Sequence, residues 1–526
     1  MERTRSYHRS CLLHLLCTLV LLATFFPCPA VQAGKAVSPG TWTRYRAVEI
    51  PADRLAREKP VFPDLAGYTV AAVETRIGTG PEAGITLERM RRQPMLEDFT
   101  AGRSERIREW AMRQRSFPRA IFIRNGHATP ALLAARLGPD LFAESEPGVF
   151  TCRLPLVVGP DATLIVDDRV RELRLSRQRG AFLVNGGRLF LVRTRVTGWD
   201  EENNGPAAYR SEHDFRPFII AWGDSETYIA ASRIASLGYH QSKSYGITLS
   251  QYNRDDGSAL HRRPSGWIID SEFTDIYYGF YCYEADDVVI LRNDYHDNIV
   301  YGIDPHDRSR RLIIAGNRVW GSKKKHGIVI SRDVNDSWIF DNRSFDNGLS
   351  GILLDRNCTG NMVAGNVIYG NRGDGISVYE SDHNTLWGNV IMDNHRNGIM
   401  LRNSVNLAIY DNLVLRNFRY GVAGMVRELS GTGRDLVRDP HFQKLSFVLY
   451  GGVLADNRQG PLKIDNPLRA TLCRVRMLFP RSRDGIRFTG PLLTWQERIF
   501  ALLARGRAVV VEPEPVAAPG RSLPGT

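Results

Sequence analysis

A chain of 526 residues with 43% hydrophobic, 24% charged and 10% aromatic side chains has ample material for a large core, which excludes a wholly disordered or collagen-like protein. Its 69 Lys and Arg against 57 Asp and Glu leave a surplus of +12, which suits a polyanionic partner such as nucleic acid, an anionic membrane or an acidic polysaccharide. With 47 Gly and 27 Pro the chain is not of low complexity, so any repetition lies in where these residues stand.

In chain order, Arg3, Arg5 and Arg9 precede an apolar run from Leu12 to Phe26, followed by Pro27, Pro29 and Val31-Gln32-Ala33. This is the pattern of a secretory signal peptide cleaved after Ala33, because the run is shorter than the roughly 20 apolar residues that a membrane span needs. The expectation is an exported chain, 1–33 removed, with no transmembrane span after cleavage. Export argues against nucleic acid and turns the basic surplus towards an acidic glycan. Residues 34–149 read as an N-terminal region with a helical stretch at 96–116 around Ile107, Trp110 and Met112. Beyond the signal, Cys152, Cys282, Cys358 and Cys473 are scattered without metal-type Cys-x-x-Cys spacing and are too few to frame the fold with disulfides.

From about residue 150 to 440 the chain repeats itself. Glycine followed by an apolar residue recurs at Gly279, Gly302, Gly327, Gly351, Gly375, Gly398 and Gly421, in steps of 23, 25, 24, 24, 23 and 23. Asparagine keeps the same step at Asn293, Asn317, Asn342, Asn366, Asn389 and Asn412. The apolar runs between are three to five residues long and bounded by Gly, Asn and Asp, so they are short strands with turns. A leucine-rich repeat shares the period but needs a Leu-x-x-Leu-x-Leu ladder that the sequence lacks. The fold class predicted is therefore all-β, a right-handed parallel β-helix with about 24 residues and three short strands per coil. The asparagines are read as a structural ladder stacked at one turn. The longer step from Gly246 to Gly279 reads as a turn insertion around Asp255-Asp256-Gly257-Ser258. Residues 441–511 read as a C-terminal cap with an amphipathic helix at 495–503, and 512–526 as a disordered tail.

A known period lets successive coils be registered. Four residues after each repeat glycine stand Tyr283, His306, Ser331, Asp355, Tyr379 and Arg402; five residues after stand Glu284, Asp307, Arg332, Arg356, Glu380 and Asn403. With coils about 4.8 Å apart these form two adjacent lines of polar and aromatic side chains, a groove shaped for a polymer. The third position is apolar throughout, so Cys282 reads as a buried free thiol. The coil Tyr301-Gly302-Ile303-Asp304-Pro305-His306-Asp307 stands out, because it sets two carboxylates and an imidazole where other coils carry ordinary strand residues, and Pro305 cannot donate to a ladder. Registration brings Arg332 diagonally next to His306. Taken alone, Asp-Pro-His-Asp is also a plausible turn.

These residues carry a resemblance. Asp304 to Asp307, the later Asp341-Asn342-Arg343-Ser344-Phe345-Asp346-Asn347 and Arg216-Pro217-Phe218-Ile219-Ile220-Ala221-Trp222-Gly223, behind a signal peptide, resemble the periplasmic mannuronan C5-epimerases of alginate biosynthesis. The second motif is usually Asn-Asn-Arg-Ser-Tyr-Glu-Asn in that family, so Asp341, Phe345 and Asp346 are mild departures. The resemblance implies a periplasmic enzyme that turns β-D-mannuronate into α-L-guluronate within polymannuronate. It implies His306 as base, Arg332 neutralising the substrate carboxylate, and Asp304 and Asp307 orienting and tuning the imidazole. Polymer contacts are expected from Tyr283, Tyr301, Lys323, Lys324, Asp355, Arg356, Tyr379 and Arg402. Tyr283, Tyr301 and Tyr379 are candidates to hold the water that reprotonates C5, or packing surfaces for sugar rings. The run Lys323-Lys324-Lys325 reads equally as a solvated charge cluster. No loop has EF-hand spacing, and the resemblance implies neither metal nor cofactor. Partners are expected among the periplasmic proteins that polymerise and export alginate.

Three other classes remain open on residue types. A polyuronate lyase would use the same base and neutraliser and then expel the C4 oxygen. A non-catalytic export scaffold would keep the basic groove without needing His306. A tailspike-like hydrolase would need paired carboxylates about 5 to 9 Å apart, which Asp304 and Asp307 would have to supply.

Overall fold

Each repeat folds into one coil of three short strands: Tyr301–His306, Ile313–Ala315 and Arg318–Trp320 complete a turn before the chain re-enters at Ile328–Ser331. Successive coils pair in parallel, so three sheets run the length of a right-handed β-helix. The computed structural model describes residues 44–55, 59–90, 109–110, 112–114, 117–241, 243–251, 263–437, 439–478 and 487–515. The signal-like segment, most of the 96–116 stretch, the turn insertion at 255–258 and residues 516–526 lie outside the described residues.

Inward positions of all three sheets form one continuous core, in which Ile303, Ile314 and Val319 of one coil lie beneath Ile328, Ile339 and Ser344 of the next. The repeat glycines are explained by space. A Cβ on Gly327 would stand 2.3 Å from the Ser344 hydroxyl and 2.6 Å from the Asn347 amide, so no larger side chain fits where the chain turns into the site-bearing strand.

The asparagine series stacks as expected. Asn342 donates from Nδ2 to Asn366 Oδ1 at 3.0 Å and to the Ile314 carbonyl at 2.8 Å, while its backbone N–H donates to the same Asn366 Oδ1 at 3.0 Å. The pattern repeats from Asn293 to Asn412. A second ladder, Asn347, Asn371, Asn394, Asn417 and Asn457, lines the corner where the third sheet hands over to the first. Both ladders are buried, so each amide answers polar groups that water cannot reach.

The parallel ladders run beyond the expected 150–440. They begin at Arg119–Arg124, which pairs in parallel with Leu156–Val158, and end at Phe488–Thr489. The first coil was hidden because the helix Pro130–Arg136 interrupts it, and the last coils because residues 426–445 break the period. The ends are closed by antiparallel strands, Gly84–Arg89 at one and Ala508–Pro513 with Tyr45–Ile50 at the other. The expected C-terminal helix is present as Gln496–Ala504, with Ile499 and Leu502 in the core. The tail expected from residue 512 is ordered as strand through Pro513, where Glu512 also pairs with Arg46. All four cysteines beyond the signal-like segment are free and buried, Cys282 among them. No helix among the described residues is long and apolar enough to cross a membrane.

Candidate active site

The first sheet carries the site on its outer face. Backbone register places Tyr283, His306, Ser331, Asp355, Tyr379 and Arg402 in one line along the helix axis, the column that the period predicts, and extends it back to Ser250 and Trp222. The neighbouring column, Glu284, Asp307, Arg332, Arg356, Glu380 and Asn403, stands where the strand ends, and every member has a positive φ between 33° and 62°. Left-handed backbone is costly for long side chains, and it recurs at the other corners of the coils, as at Arg292, Asp341 and Arg416. Here it turns a row of charged side chains over the ends of the strands.

His306 and Asp307 are adjacent in sequence, and the turn at Asp307 swings its carboxylate onto the imidazole, where it accepts a hydrogen bond from Nδ1. A proton fixed on Nδ1 leaves Nε2 as the basic nitrogen of neutral His306. The ring is only 23% exposed. Burial alone would lower its pKa, but the bond it donates to Asp307 and the charges of Asp304 and Asp307 outweigh this and raise it above the ordinary value. Asp307 is pulled the other way: against the effect of burial, His306 and Arg332 hold it below the usual carboxylate range.

Asp304 is fully buried on the same strand, with Oδ1 lacking any hydrogen-bond partner, and burial pushes its pKa up to about 7. The ladder is interrupted beside it, since this strand pairs with the next only at Ile303 and His306. Pro305, facing the core, lacks the N–H that would continue it. Arg332 approaches from the next coil with Nη1 3.9 Å from Asp307 Oδ1. Acid, imidazole and guanidinium are therefore brought together as expected.

The other expected residues divide. Tyr283 follows in register beside His306 and accepts a hydrogen bond from Arg308 at 2.9 Å. Asp355 and Arg356 pair with each other at 3.2 Å, and Tyr379 lies beneath the Arg402 guanidinium, 4.0 Å from it. Arg402 donates from Nε and Nη2 to the two carboxylate oxygens of Glu380, at 2.7 and 2.9 Å. Tyr301 sits at the far end of its strand, stacked on His326, with its hydroxyl accepting from Lys325 at 3.1 Å. Lys324 turns to Tyr209 and Glu212 in the 201–216 loop, and Lys323 is exposed, so neither joins the His306 columns. Lys325 is the member of the run whose charge reaches Asp304. His326 is a poor substitute base: its Nδ1 accepts the Ser350 N–H, and burial lowers its pKa to about 4.

Sequence reasoning missed the segment 426–445, which leaves the strand Tyr420–Met425 and folds back over the site sheet. It adds Arg427, Arg434 and Asp439 to a cavity of about 600 Å³ whose floor includes Arg332, Arg356 and Tyr379. It is not periodic, so registration cannot see it. Lys243, buried over the rings of Trp222 and Tyr283, was missed for the same reason.

A parallel β-helix with a charged groove and a carboxylate-held histidine is a scaffold suited to an extended, charged ligand. Residues 226–371 and 333–432 match the family model described as periplasmic copper-binding protein (NosD). No three His, Cys, Asp or Glu among the described residues are grouped to hold a metal ion. The chain is 49% identical over 500 residues to the mannuronan C5-epimerase AlgG of Azotobacter vinelandii, covering 94% of this chain and 95% of that one. It is 50% identical over 471 residues to the mannuronan C5-epimerase of Pseudomonas aeruginosa, covering 89% and 87%. The crystal structure of the periplasmic alginate epimerase AlgG superposes with a TM-score of 0.78 at 46% identity, covering 81% of this chain and all of the other. The chain belongs to the mannuronan C5-epimerase family.

Proposed function

We propose that the protein is a periplasmic polymer-level C5-epimerase that converts β-D-mannuronate residues of alginate to α-L-guluronate. Polymannuronate lies along the two registered columns. Its C5 hydrogen is α to a carboxylate that is already anionic, so removing the proton builds a second negative charge on that group. Arg332 neutralises this charge through its planar fork, a contact that strengthens as the charge develops. Nε2 of His306 takes the proton, the C5–H electrons pass into the carboxylate, and a water delivers a proton to C5 from the opposite face. Asp307 keeps the second imidazole proton on Nδ1 and stabilises the imidazolium that forms. Asp304, beside them, sets the charge around the ring.

The observation that carries this reading is the Asp307-held imidazole with Arg332 beside it, on a chain about half identical to named epimerases along most of its length. The basic groove fits the anionic polymer, and the partners proposed are the proteins that polymerise and export it. The test is proton NMR of polymannuronate incubated with the protein in D₂O. Guluronate signals carrying deuterium at C5 are expected. Unsaturated ends would identify a lyase, and unchanged polymer a binding scaffold.

A further inference from the structure

We propose that Asp439 is a positioning residue for the carboxylate site: its side chain bridges the guanidinia of Arg332 and Arg356 and fixes the direction in which both meet the substrate. The proposal rests on the reading of Arg332 as neutraliser. Arg332 and Arg356 occupy equivalent positions on consecutive coils. Two like charges on flexible stems one coil spacing apart repel; Asp307 beside Arg332 and Asp355 beside Arg356 each answer one of them, and an anion between the two holds both together. Asp439 stands there, 3.3 Å from Arg332 Nη2 and 3.5 Å from Arg356 Nη1, with its own side chain only 6% exposed.

The carboxylate is delivered by a built scaffold. Segment 426–445 is fastened at its start by Arg427, whose backbone N–H and carbonyl both bond Asn403, at 2.8 and 2.7 Å. It is fastened in the middle by Arg434, which reaches Glu380 on the site sheet at 2.6 Å and donates from Nε to the Asp439 carbonyl at 2.9 Å. The Asp439 N–H donates to the Asp435 carbonyl at 2.8 Å, and Leu429 and Leu445 are buried on either side. A carboxylate held this way from its backbone outwards is an anchor rather than a plug that leaves when substrate arrives. It engages Nη2 of Arg332 alone, and Nη1 with the remaining Nη2 hydrogen forms the fork left for the polymer, while Nε is buried without a partner.

The test is steady-state kinetics on polymannuronate with Asp439→Asn, Asp439→Glu, Arg332→Lys and the Asp439→Asn/Arg332→Lys double variant, each first checked for native circular dichroism and thermal unfolding. Misaiming the neutraliser affects the chemical step, so Asp439→Asn is expected to lower kcat by about tenfold or more with KM changed less than about threefold. Asp439→Glu should recover part of the loss. The double variant should be within about twofold of Arg332→Lys alone, because the two losses share one cause. Wild-type or raised kcat in Asp439→Asn overturns the proposal, as do losses that multiply in the double variant. If Asp439→Asn misfolds, the ratio of kcat for Asp439→Glu with and without Arg332→Lys decides in the same way. Arg332→Ala separates the two levels: full turnover there sinks the neutraliser itself, whereas a dead Arg332→Ala beside a fully active Asp439→Asn sinks only the role of Asp439.

Discussion

The asparagine corners and the outer face of the site sheet are built from the same coils and treat polar groups in opposite ways. At the corners each buried amide is matched: Asn366 donates to Asn389 and to the Ile339 carbonyl and accepts from both nitrogens of Asn342. On the site face buried polar atoms are left over. Asp304 Oδ1 and Arg332 Nε have no partner. A stacked solenoid secures its stability at its corners and so tolerates unmatched polar groups on one face.

The contrast predicts that substitutions on the face cost turnover and substitutions at the corners cost stability. The largest effect is expected at Arg332. Arg332→Ala should lower kcat/KM on polymannuronate by about a hundredfold or more while the protein stays folded, as loss of a charge-stabilising donor does elsewhere. Arg332→Lys should recover only part, because an ammonium cannot form the bidentate contact. Equal activity of Lys and wild type would show that charge alone suffices.

A smaller and more particular effect is expected at Asp307. Neutral His306 is the active form, so kcat/KM should fall as pH drops through its raised pKa, placing the acid limb above about pH 6.5, the ordinary histidine value. The Asp307 bond and charge favour protonated His306, so Asp307→Asn should lower that pKa and move the acid limb to lower pH, together with a lower maximal rate. A limb that stayed in place would mean that another group titrates. The sign for stability is the reverse. The raised pKa stabilises the fold below about pH 6.5, and this contribution is lost as pH rises through the folded value.

The smallest effect on activity and the clearest on stability is expected at the ladder. Asn366→Ala leaves the Asn342 donors and the acceptors on Asn389 and Ile339 without their partner, so denaturant unfolding should show a loss of about 1 to 3 kcal/mol, with kcat per folded molecule unchanged. A silent substitution would mean that water replaces the amide.

What the sequence made legible follows the same division. Periodic features could be read because one measured step fixes every coil: the Asn293 to Asn412 ladder, the His306 column and the diagonal approach of Arg332 are where registration placed them. The second ladder was equally readable, as Asn347, Asn371, Asn394 and Asn417 keep steps of 24, 23 and 23. Registration gives adjacency and says nothing about choice of partner. Arg402 and Glu380 were correctly placed as neighbours, but their bidentate pairing was not foreseen, and Arg402 was read as a polymer contact. Asp439, Arg434 and Lys243 come from insertions whose length carries no period, so only the three-dimensional fold brings them to the groove. Tyr301 stands at the opposite end of its strand from His306, with Asp304, Asp355 and Arg356 among the charges that act on it, whereas Lys324, at a coil corner, is taken by the 201–216 loop.

The central claim is that His306 removes the C5 proton. It is tested most directly by following exchange at C5 of polymannuronate in D₂O with wild type and His306→Ala, after confirming that the variant is folded and binds polymer. Wild type should introduce deuterium at C5 with guluronate formation, and His306→Ala should show no C5 exchange above the protein-free rate even on long incubation. Exchange by His306→Ala at close to the wild-type rate would contradict the account and place the base elsewhere.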